Sequence, residues 1–102
     1  MARLPADCHS KLEIREEIDR IDRELVAMFA ERFAFVQRMA EFKTDPDEAL
    51  VPARVDEVLD RVADEARRSG FDEHLARELW ARLIEWNIDF ERDTIARRTA
   101  AG

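Results

Sequence analysis

The chain has 102 residues, enough for one domain and for only a small core if it stood alone. It is 46% hydrophobic and 40% charged, with two glycines and three prolines, which suits amphipathic helices and excludes an all-β chain with its many turns. A net charge of −7 argues against a nucleic-acid partner, whose footprint is basic, but leaves room for a local basic pocket and a small anionic ligand.

Residues 1–10 read as a loosely held lead. The start, MARLPADCHS, lacks the apolar region of a signal peptide, and no apolar run reaches membrane-spanning length, so the expectation is a cytoplasmic protein with no membrane partner. Cys8 is the single cysteine and has no internal disulfide partner. With only His9 beside it, it falls short of a metal-ligand set, and it is read as a free thiol. Ser10 suits a helix cap, with Glu13 three residues on to complete a capping box.

From Leu12 to Lys43 runs a stretch without glycine or proline. Ile14, Ile18, Ile21, Leu25, Met28, Phe29, Val36, Met39 and Phe42 recur mostly three or four apart, the helical period. Such a helix spans roughly 48 Å at 1.5 Å per residue. A domain of about a hundred residues has too small a compact radius to cover that rod, so part of its cover is expected from another chain. No strict heptad is kept, which disfavours a plain coiled coil.

Three cations on this stretch make the functional question concrete. Arg32 and Lys43 are eleven residues apart, close to a whole number of turns, and so share a face at about 16 Å along the axis. Two long side chains can close that gap around a small ligand. Arg15 precedes Arg32 by seventeen residues, roughly 25 Å, and is rotated off that face. If all three serve one ligand, Arg15 comes from a partner subunit.

Asp45 before Pro46 ends the first helix, and TDPDEALV is a short connection. Pro52 suits a first helical position, and a second helix follows to about Arg68, with Val55, Val58, Leu59, Val62 and Ala66 on its apolar side. Ser69-Gly70 stops it. Asp72 caps a third helix running to about Arg98, with His74 solvated in its first turn. The apolar stripe of that helix is Leu79, Trp80, Leu83, Ile84, Ile88 and Ile95, and Asn87 and Glu91 fall inside it. Two polar groups there either face a cavity or turn to solvent as the stripe drifts. Taken alone, the pattern leans towards solvent. No Gly-rich phosphate loop, Ser/His/Asp set or metal spacing is present, and no cofactor is expected.

The segment IREEIDRIDRELVAMFAERFAFVQRMAEFK, followed by PARVDEVLDRVADEARRSGFDEHLARELWARLIEWNIDFE, resembles the small bacterial class of all-helical chorismate mutases, from about Leu12 to Glu91. The pattern I-R-x-x-I-D-x-I-D, then E-R, then K eleven residues after that Arg, carries the resemblance. It implies an all-α fold of three helices per protomer in an intertwined homodimer, each active site borrowing one arginine from the partner. It implies the rearrangement of chorismate to prephenate in aromatic amino acid biosynthesis, a one-step pericyclic reaction that needs no metal or cofactor.

By the same resemblance, Arg15 is the borrowed arginine and Arg32 grips a substrate carboxylate through a bidentate fork. Lys43 reaches the ether oxygen of the breaking bond and a carboxylate, and Arg54 completes the cationic wall. Glu91 stands where the family often has a glutamine that bonds the ether oxygen, and Asn87 where a small hydroxyl residue is common. An ionised carboxylate only accepts hydrogen bonds, so Glu91 would act in its protonated form, and turnover would fall as pH rises through its titration. Val51 and Val55 replace two acidic residues that help mutases read the substrate hydroxyl. Their loss, and the PADC lead, resemble the isochorismate pyruvate-lyase branch of the same fold. Outside this chemistry, the alternatives are a non-catalytic helical dimerisation module and a regulatory domain from a larger aromatic-pathway enzyme.

Overall fold

The computed structural model describes residues 2–102, and among them every regular element is helical. The long helix α1 spans Lys11–Phe42, α2 Pro52–Ser69 and α3 Glu73–Ala101, with 3-10 turns over Pro5–Asp7 and Pro46–Ala49. The expected all-α class and three helices therefore hold, and the helix ends differ from expectation by no more than fraying, one to three residues. No helix among the described residues is long and apolar enough to cross a membrane. The chain divides into two compact units, residues 1–35 and 36–102.

In the first unit, α1 begins as its sequence dictates. The Ser10 hydroxyl accepts from the Glu13 N–H at 3.1 Å. The Glu13 carboxylate reaches back one residue further than in a standard box, to the His9 N–H at 2.8 Å. The lead is tied down rather than loose. The Arg3 guanidinium donates to the Glu13 carbonyl, Glu16 and Glu17, and the Arg3 N–H donates to Glu17 at 3.0 Å. Glu17 also accepts from Arg20 at 3.1 Å. The Arg3 N–H first, and Arg20 second, hold the Glu17 carboxyl below its ordinary range.

The same unit leaves much of its apolar surface bare. Ile14, Ile18, Ile21, Leu25 and Phe29 are exposed on one face, and Val26 and Met28 keep 67% and 61% of their surface open to water. Soluble chains seldom expose a contiguous apolar stripe of this length without a partner to cover it.

The second unit holds the core. Ala40, Ala49, Ala63, Ala66, Ala76, Ile84 and Ile95 are buried, Ile95 completely. Small residues dominate because α2 and α3 run as a close hairpin, and alanine lets two helix backbones approach. The turn between them has a single left-handed residue, Gly70, at φ 76°. The Phe71 N–H donates to the Ala66 carbonyl at 2.8 Å and the Gly70 N–H to Arg67 at 3.4 Å, the paired bonds of a glycine C-cap. The Asp72 carboxylate then accepts from the Leu75 N–H at 2.8 Å and starts α3. Arg77 on α3 bonds Asp60 on α2 at 3.1 Å, an exposed pair worth less than about 1 kcal/mol. Burial of the alanines and isoleucines, and not these ion pairs, holds the hairpin.

Candidate active site

Two polar side chains are buried in the second unit, and both are on α3. Asn87 and Glu91 are four residues apart and so stack on one face of the helix. The expectation that both turn to solvent is overturned: they keep 8% and 6% of their surface. The stripe does not drift, because Ile84 and Ile95 on either side hold the same face against the core.

A buried carboxylate needs a partner, and Glu91 has one. The Lys43 ammonium donates to Glu91 Oε2 at 3.1 Å, with side-chain exposures of only 17% and 8%. Lys43 follows the last residue of α1, so the pair joins the end of one helix to the middle of another. Among the described residues, no buried side-chain nitrogen or oxygen lacks a hydrogen-bond partner. The ammonium has three donors and Glu91 takes one, which leaves Lys43 able to bond a further anionic or ether oxygen.

The remaining expected site residues are Arg54, Arg15 and Arg32. Arg54 is exposed in the first turn of α2, and its guanidinium pairs with Glu57 at 2.8 Å, one turn along the same helix. Glu57 also holds Arg61 at 2.8 Å. Arg15 and Arg32 belong to the first unit, where Arg15 is exposed and Arg32 half-buried. Both stand on the uninterrupted α1, about 25 Å apart by helical rise, so one protomer cannot close both on one small molecule. Val51 is exposed just before α2 and Val55 is half-buried within it. Among the described residues no group of three or more His, Cys, Asp or Glu side chains is placed to hold a metal ion.

One residue was not singled out by its pattern. Arg98 on α3 donates to the Ala40 carbonyl at 3.0 Å and to the Lys43 carbonyl. The available signal was spacing: Arg98 is seven residues after Glu91, nearly two whole turns, and so shares its face.

The second unit thus holds a lysine–carboxylate pair between helices with a buried amide one turn away. The chain belongs to the chorismate mutase type II family, whose model matches residues 14–92. It is similar to the isochorismate pyruvate lyase of Pseudomonas aeruginosa, with 34% identity over 84 residues, covering 82% of this chain and 83% of the relative.

Proposed function

We propose that the protein is a chorismate mutase, converting chorismate to prephenate in a homodimer. The observation that carries this reading is the buried Lys43–Glu91 pair, two residues that the resemblance assigns to the ether oxygen of the breaking bond. A pericyclic rearrangement asks two things of a protein. It must hold a flexible dianion in a compact, chair-like conformer, a positioning contribution. It must also stabilise the negative charge that grows on the ether oxygen as the C–O bond stretches, through donors already in place.

Lys43 supplies that donor. Its ammonium is held half-buried, where charge is screened less than at the surface. Glu91 accepts from that ammonium and holds it in place. Asn87, one turn earlier, bonds a carboxylate or hydroxyl. Arg32 grips a carboxylate with its fork, Arg54 turns from Glu57 to the substrate, and Arg15 enters from the partner subunit. The reach of α1 and its bare apolar face support the dimer on which that last assignment depends.

Isochorismate pyruvate lyase activity, giving salicylate and pyruvate, is the second reading. It is favoured by the similarity to the Pseudomonas aeruginosa lyase and by apolar Val51 and Val55 where mutases carry hydroxyl-reading carboxylates. Both reactions break an enolpyruvyl ether C–O bond, so the same cationic donors serve either. Incubating the purified protein separately with chorismate and isochorismate and identifying the products decides between them. Prephenate alone supports the mutase, salicylate with pyruvate supports the lyase, and turnover of neither overturns both.

A further inference from the structure

We infer that Arg98 is a positioning residue for Lys43, a role that rests on the Lys43 assignment made under Proposed function. The last carbonyls of a helix have no intrahelical partner, and those near the end of α1 fall where the chain turns towards Pro46. The Ala40 carbonyl accepts from the Lys43 N–H at 3.3 Å and again from Arg98 Nη1 at 3.0 Å. The other guanidinium nitrogen of Arg98 takes the Lys43 carbonyl itself. One planar fork thus spans two carbonyls three residues apart, which a lysine ammonium cannot match in geometry. Its positive charge also complements the negative end of the α1 dipole.

The same face of α3 therefore holds Lys43 at both ends. Arg98 fixes the backbone from which the side chain springs, and Glu91, two turns earlier, fixes the ammonium at its tip. A pericyclic reaction gains its rate from donor placement, and a displacement of about 1 Å costs on the order of a hundredfold. With Arg98 gone, Lys43 keeps its charge and its Glu91 partner but loses the anchor of its main chain.

The chain has only two lysines, Lys11 and Lys43, and this allows a test that does not depend on turnover. Lys11 is exposed and serves as an internal standard. Wild-type protein, Arg98→Ala and Arg98→Lys are acylated with a limiting N-hydroxysuccinimide ester, and the ratio of Lys43 to Lys11 labelling is read by mass spectrometry. Circular dichroism identifies the folded variants. Arg98→Ala is expected to raise the ratio by about threefold or more through local opening, with Arg98→Lys between it and wild type. In parallel, kcat/KM is measured for Arg98→Ala in the wild-type and Lys43→Ala backgrounds. A loss of about tenfold or more with Lys43 present, and of less than about twofold without it, marks action through Lys43.

An unchanged labelling ratio in a folded variant overturns the inference. So does an equal loss of activity in both backgrounds, which marks a general structural role. If Arg98→Ala does not fold, Arg98→Lys carries both arms, and a wild-type ratio and rate in that variant overturn the role of the fork. Failure of the wild-type protein to turn over chorismate or isochorismate instead removes the reading under Proposed function, and the labelling arm then decides whether Arg98 anchors Lys43.

Discussion

The Lys43 ammonium and the Glu91 carboxylate meet at 3.1 Å although forty-eight residues of chain separate them. The free protein thus answers its own cation with its own anion. On the proposed reading, a dianion arriving at Lys43 meets the Glu91 carboxylate already bonded there, whose charge opposes its binding.

Glu91→Gln removes that charge and turns an acceptor into a permanent donor. Its kcat/KM is expected to exceed that of the wild-type protein, measured for both at one pH and fixed ionic strength. A variant slower than the wild type would show that Glu91 does not face the reacting oxygen.

Stability and activity separate at the same pair. Lys43→Ala leaves a buried carboxylate without its cation and is expected to lose about 2–4 kcal/mol in denaturant unfolding, near the range for broken buried pairs. Adding Glu91→Gln removes the stranded charge and recovers most of that loss. On the proposed reading turnover is expected not to recover, because the donor to the ether oxygen is still missing, and to stay lower by roughly a hundredfold or more. A double variant with wild-type rates would remove Lys43 from the chemistry.

Arg15 tests the composite site. Arg15→Ala and Lys43→Ala are each expected to lose roughly a hundredfold or more in activity, and mixing them under conditions that exchange subunits restores part of it by assembling intact sites. The bare apolar face of α1 predicts a dimer by sedimentation. A monomer that turns over at nanomolar concentration would contradict both expectations.

The lead offers a prediction free of catalysis. Glu17 in the folded protein titrates below its ordinary value of 4.5, chiefly because it accepts the Arg3 N–H. Its stabilising contribution is full above that ordinary value and is lost as pH falls through the lower folded one. Acid should therefore release residues 3–9 before the helices melt, and Glu17→Gln should release them at neutral pH. Amide hydrogen exchange at Asp7 and Cys8, whose N–H groups close the 3-10 turn, reads this directly.

Local chemistry was legible from the residues. Ser10, Pro52, Gly70 and Asp72 each mark a helix end because capping depends only on neighbours within one turn. The Lys43–Glu91 pair was half legible. The family pattern named both residues, but contact between them depends on how α3 meets the end of α1, which no local period encodes. Arg98 was legible only as a residue on the face of Glu91: in ARRTA it looks like a solvated charge, and its partners are carbonyls, which leave no mark in a sequence. Arg3 was hidden in a lead without periodicity. Arg54 has a ready helical partner three residues on, Glu57, and the structure shows that nearer bond.

The glycine turn at Gly70 sets a clock as well as a shape. It joins two helices whose contacts lie close along the chain, and such local contacts form fast. The α2–α3 hairpin can therefore assemble as soon as it leaves the ribosome, while α1, synthesised before it, has already been waiting with its apolar face uncovered. The dangerous interval in the life of this protein is thus early, while that face is still bare. The acidic surplus of the chain, through mutual repulsion of nascent copies, works against aggregation in that interval.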